Sequence, residues 1–179
     1  MPGYFQPVVI RAAAGVRVAV AVGDAFAPTE TTPITFGLLV AAVYRLKVTD
    51  VPQWEGEEVF PTIEIIDRLY PPPGESTRFA IPVDITQHDL EAALEGRFVT
   101  RVIYVEDPAT ALPVASASDL VEWMDVRPGD DPLAVADSLG RPVAILRLGG
   151  RVPGAAGPDP SFLNGSPPLV RLAEPAAAR

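Results

Sequence analysis

Val16-Arg17-Val18-Ala19-Val20-Ala21-Val22 sets a valine at every second position. A period of two places all four branched side chains on one face of an extended strand, a surface that valine favours. The pattern recurs outward from it. Over residues 38–48, Leu38, Val40, Ala42, Tyr44, Leu46 and Val48 share one face, while the other passes from Leu39, Ala41 and Val43 to Arg45 and Lys47. This predicts one strand that starts buried on both faces and ends half exposed. Phe79, Ile81, Val83 and Ile85 alternate in the same way, and Val99, Arg101, Ile103 and Val105 oppose Phe98, Thr100, Val102 and Tyr104. With residues 4–10, 59–69 and 143–148 the set reaches about seven strands, the number expected of a sandwich. The 21 prolines fall mostly between these runs, as in Pro71-Pro72-Pro73-Gly74, which suits short strands joined by rigid turns and argues against a helical bundle.

Two short helices interrupt the strands. Thr86 is an N-cap with Asp89 three residues on, Ile85 is positioned to staple against Leu90, and Gly96 closes the helix. The second helix starts with Asp131 as N-cap and Pro132 at its first position, turns Leu133, Val135 and Ala136 inward, and has Gly140 as C-cap. Both exit into Gly-Arg-X-Val, Gly96-Arg97-Phe98-Val99 and Gly140-Arg141-Pro142-Val143, which suggests two corners built alike. The expected fold class is mainly β: an immunoglobulin-like or related β-sandwich over residues 1–150, with residues 151–179 forming an extended C-terminal arm and frayed tail. Phe162 and Leu163 are the residues expected to pin that arm.

Composition narrows the chemistry. At 179 residues and 48% hydrophobic content the chain has ample core for one domain without a disulfide or metal staple. Lys and Arg total 14 against 23 Asp and Glu, a net charge of −9 that repels phosphate backbones and anionic lipid surfaces, so nucleic acid is not an expected partner. There is no cysteine, which removes thiolate metal sites and cysteine nucleophiles together. The longest apolar run, residues 34–44, spans 11 residues, short of the ~20 a helix needs to cross a bilayer, and no transmembrane segment is expected. The first residues lack the pattern of a signal peptide.

Candidate catalytic groups are few. The single histidine, His88, lies between Asp84 and Asp89 on a helix start, where a polar residue needs no function. Glu64 and Asp67 resemble the paired carboxylates of glycosidases, but their spacing sets them on opposite faces of a regular strand. Glu55, Glu57 and Glu58, Glu106 and Asp107, and Asp130 and Asp131 form oxygen-rich turns without an EF-hand spacing, so no metal and no cofactor is expected. Arg68 and Arg101, beside apolar strands, are expected to pair with Glu64, Glu106 or Asp107. Gly149-Gly150-Arg151-Val152-Pro153-Gly154 follows a strand without opening a helix and reads as a turn rather than a phosphate loop. Among the aromatic residues, Trp54 and Trp123 are the candidate binding residues because they sit in loop-like contexts, whereas core packing explains Tyr44, Tyr70 and Tyr104.

Residues 59–73, 95–108 and 131–147, reading VFPTIEIIDRLYPPP, EGRFVTRVIYVEDP and DPLAVADSLGRPVAILR, resemble an uncharacterised family of conserved proteins from planctomycete bacteria. The likeness runs from about Gly3 to Pro168 and implies an exported protein of the periplasm or cell envelope whose leader is absent from this chain. No residue role comes with it. The expectation is therefore a non-enzymatic structural or interaction domain whose partner is another envelope protein or a surface polysaccharide. A carbohydrate-binding accessory module is the alternative, and a hydrolase using paired carboxylates the third reading.

Overall fold

The structure, a computed structural model, describes residues 4–74, 76–106 and 121–173. Its chain begins with β1 (Phe5–Ala12), β2 (Arg17–Val22), β3 (Ala25–Phe26), β4 (Glu30–Thr31), β5 (Ile34–Leu39), β6 (Val43–Thr49) and β7 (Thr62–Ile65). After a 3₁₀ turn at Ser76–Phe79 come β8 (Ile81–Ile85), α1 (Gln87–Leu94), β9 (Val99–Glu106) and β10 (Val121–Asp125). The chain then runs through α2 (Pro132–Asp137), β11 (Gly140–Leu148) and β12 (Leu169–Arg171). A four-stranded sheet has the order β12-β5-β1-β8, and a larger one has the order β10-β9-β11-β7-β6-β2-β3, with β4 also paired to β2. The β1–β8 pair is parallel and the others are antiparallel.

The inner faces of both sheets meet in one apolar cluster, with Ile10, Leu38 and Val83 from the small sheet and Val18, Leu46, Ile63 and Leu146 from the large one. The alternation is visible in it: Val16, Val18 and Val20 are buried there, and Val22 at the strand end is exposed. The outer face of the large sheet has two covers. At one side Phe162 and Leu163 pack with Ala21 and Phe60, which is why the alanines of β2 are buried as well as its valines. At the other, α2 buries Ala136 against Val102, Tyr104 and Ile145.

The fold is mainly β with two short helices, as expected, but the described residues contain twelve strands rather than about seven. Part of the excess is in two- and three-residue strands that carry no periodicity. Part is in residues 38–48, which are not one strand. Chain direction reverses at Ala41, whose φ is +62°, so β5 joins the small sheet and β6 the large one. The apolar alternation runs through the turn because both flanking strands face the shared core. Arg45, assigned to a half-exposed face, is buried.

The helix starts are as read. The Asp89 N–H donates to Thr86 Oγ1 (3.2 Å) and the Thr86 N–H to Asp89 Oδ2 (2.8 Å), while Ile85 and Leu90 are both buried. Asp131 accepts from the Leu133 N–H (2.9 Å). Gly96 closes α1 as read, but the end of α2 differs from expectation. Ser138, not Gly140, caps α2; Gly140 opens β11, where a Cβ would run into the Val105 carbonyl oxygen. Gly96 instead has φ +83° with open space around it, so the two Gly-Arg corners are not built alike. Leu133, expected inward, is exposed. The tail from Glu174 onward lies outside the described residues.

Candidate functional site

On the outer face of the large sheet, between its two apolar covers, one cross-strand row reads Arg45, Thr62, Arg147, Thr100. Arg45 on β6 is opposite Thr62 on β7, Thr62 is opposite Arg147 on β11, and Arg147 is opposite Thr100 on β9. Side chains directly opposite in a sheet share a face, so the register alone places these four together. They floor a cleft of about 280 Å³ whose rim is made by Phe98 and by Gly149 and Arg151 of the turn after β11. The glycine pair of that turn has a steric purpose. Gly149 has φ +94° and lies against the Arg97 carbonyl oxygen; Gly150 has φ +71° and lies under the Phe98 ring, which a Cβ would strike. Phe98 is 69% exposed, so its ring is a wall of the cleft rather than part of the core.

Three guanidinium groups thus line one cleft, with no carboxylate in its lining. Arg147 is engaged from the side by Glu64 (2.7 Å). Arg45 is 4% exposed and its bonds go to backbone carbonyls: Nε donates to Phe162 O (2.9 Å) and Nη1 to Phe60 O (3.0 Å), with the guanidinium 4.7 Å from the Phe162 ring centroid. Carbonyls stabilise a buried cation without neutralising it. Burial, and then the charge of Arg151, pull the Arg45 pKa below the ordinary arginine value, so two positive charges act on each other across the cleft. An anion placed between them would relieve that repulsion.

Arg101 is also buried, but its charge is met. Its Nη1 and Nη2 donate to Asp89 Oδ2 and Oδ1 (3.0 and 2.8 Å), its Nε to Asp125 Oδ1 (2.8 Å) and its Nη1 also to Asp84 O (2.9 Å). Burial lowers its pKa, and Asp125 and Asp89 outweigh that, leaving it above the ordinary value. These partners, 12 and 24 residues away, replace the expected Glu64 or Glu106; Asp107 lies outside the described residues. Among the described residues Arg68 pairs with neither Glu64 nor Glu106: it lies over the rings of Tyr70 (4.5 Å) and Tyr4 (5.1 Å). Tyr70, assigned to the core, is 68% exposed, whereas Tyr44 and Tyr104 are buried.

The named candidates fall in separate places. Trp54 packs against the edge of the main core. Trp123 is on strand β10 rather than in a loop, exposed, with the Arg101 guanidinium 3.9 Å from its ring centroid. His88 is exposed on α1, next to Asp89, whose carboxylate is occupied by Arg101 and the Thr86 N–H. Glu64 and Asp67 are held by different arginines of β11, Arg147 and Arg141. Glu55, Glu57, Glu58, Glu106, Asp130 and Asp131 are exposed. Among the described residues no helix is long and apolar enough to cross a membrane.

The arginine cleft was missed because its members are spread over residues 45–151, each ordinary in its local string. The one local signal was Gly149-Gly150 directly before Arg151, at the end of a strand carrying Arg147. The chain matches no family model, no curated protein and no solved structure.

Proposed function

We propose that the chain is a non-enzymatic recognition domain of the bacterial cell envelope, and that it holds an anionic group of its partner in the arginine cleft. The observation that carries this reading is the convergence of Arg45, Arg147 and Arg151 on one cleft lined by no acid, in a chain of net charge −9. Like charges gathered in one cleft repel one another, a cost that a bound anion would relieve. Guanidinium forks match carboxylate and phosphate oxygens in pairs, and at ~0.15 M salt charges beyond ~8 Å are screened, so a bound anion senses the cleft rather than the acidic remainder. The envelope location rests on the resemblance to exported planctomycete proteins. A sandwich related to the immunoglobulin fold is the architecture proposed with it, supported by two sheets that share one core.

A carbohydrate-binding module is the second reading, favoured by the exposed ring of Phe98 at the cleft; Trp123 is on the other face of the sheet, beside Arg101. The hydrolase reading has less support, because Glu64 and Asp67 are each drawn to a separate arginine. The test is a titration of the chain with acetate and with inorganic phosphate at constant ionic strength, following the arginine Nε–H resonances by NMR. Shifts confined to Arg45, Arg147, Arg151 and their neighbours, lost in the Arg147→Gln/Arg151→Gln variant, are expected. Shifts scattered over the surface, or none, would sink the proposal.

A further inference from the structure

Building on the anion-recognition reading, we infer that the ligand of the cleft is a sugar acid: a pyranose ring that carries a carboxylate, of the hexuronate class. A compact anion such as phosphate would use only the guanidinium groups. The cleft offers two further kinds of surface. Thr62 and Thr100 alternate with Arg45 and Arg147 along its floor, so each arginine has a hydroxyl-bearing residue opposite it. Threonine hydroxyls donate and accept, which is the complement of sugar hydroxyl groups. Phe98 then adds an exposed aromatic wall, made possible by Gly150 beneath its ring. The C–H face of a pyranose stacks on such a ring, whereas a bare anion gains nothing from it.

Size agrees with this assignment. The cleft, about 280 Å³ and open to solvent, has room for one sugar ring, with its neighbours free to continue outside. The same chemistry is presented by a free sugar acid and by one unit of an acidic polysaccharide. The carboxylate is the natural match for the forks of Arg147 and Arg151, while Arg45, held by the Phe60 and Phe162 carbonyls, supplies fixed charge from below.

The experiment is an NMR titration of the whole chain with galacturonate, methyl galactoside, acetate, phosphate and a galacturonate oligomer. Galacturonate is expected to bind at least about tenfold more tightly than acetate, which lacks the ring, or methyl galactoside, which lacks the charge. Phe98→Ala, at an exposed position, is expected to remove that advantage, lowering galacturonate affinity by more than it lowers acetate affinity. An oligomer about tenfold tighter than the monomer assigns the source to a polymer, and equal affinities assign it to a free sugar acid; either supports the inference. If acetate or phosphate binds as tightly as galacturonate, the sugar-acid inference falls while the anion site stands. If no anion moves the three arginines, both fall.

Discussion

Asp89 combines two duties that a shorter sequence window separates. As the third residue of α1 it accepts from the Thr86 N–H, and its two oxygens also receive both terminal nitrogens of Arg101. Both ion-pair partners are almost wholly buried, so removing one leaves a charge in a medium that solvates it poorly. Asp89→Ala should therefore destabilise the protein by about 3 kcal/mol, at the low end for breaking a buried pair because Asp125 still holds Arg101 Nε. Urea denaturation checks this. A loss no larger than that of Thr86→Ala would mean that the ion pair contributes nothing beyond the cap. The helix cap was legible from Thr86 and Asp89 alone; the second duty was not, because Arg101 reaches Asp89 only once β9 lies beneath α1.

At the scale of elements, starts were easier to read than ends. An N-cap is a contact between a side chain and a backbone two or three residues away, so Thr86 and Asp131 declare themselves locally. Thr86→Ala should cost ~1 kcal/mol by leaving the Asp89 N–H without its acceptor, measured as a lowered denaturation midpoint with an unchanged slope. Where an element stops depends on what it meets. Gly140 has the composition of a helix end yet begins β11, since its lack of a Cβ is needed for close approach to the Val105 carbonyl on β9. The hairpin within residues 38–48 was hidden for a related reason. A turn between two strands that feed the same core needs no polar punctuation, and Ala41 takes the positive φ in place of a glycine.

Across the whole molecule, the C-terminal segment ties the two sheets together. β12 adds to the edge of the small sheet, while Phe162 and Leu163 sit on the large one. Tyr44 joins these parts: its hydroxyl donates to Pro168 O (2.8 Å) and accepts from the Leu39 N–H (2.8 Å). Tyr44→Phe should cost about 1–2 kcal/mol and speed hydrogen exchange at the Leu172 amide, which bonds Thr35 O. Exchange unchanged at Leu172 would show that the strap holds without the tyrosine. Burial raises the Tyr44 pKa above the ordinary 10.0, and Tyr104 is raised for the same reason. The unfolded chain then loses these protons first, so the stability they contribute is fully present below pH ~10 and falls as pH rises toward the folded values. Denaturation midpoints measured from pH 9 to 11 should decline, with a shallower decline in Tyr44→Phe; equal slopes would remove Tyr44 from that linkage.

Much about this protein follows from local sequence: a mainly β chain, both helix starts, the buried valines of β2, and the absence of thiol chemistry. These depend on alternation, capping and composition, which act over a few residues. The arginine cleft depends on register. Arg45, Thr62, Arg147 and Thr100 become neighbours only because β6, β7, β11 and β9 pair with particular offsets, and a slip of one residue would turn each to the other face. The same holds for the partners of Arg101. Tertiary structure decided that Arg101 met two carboxylates while Arg45 was left beside a cleft with backbone carbonyls alone, because both sequence separation and strand order enter that choice and neither is a local property.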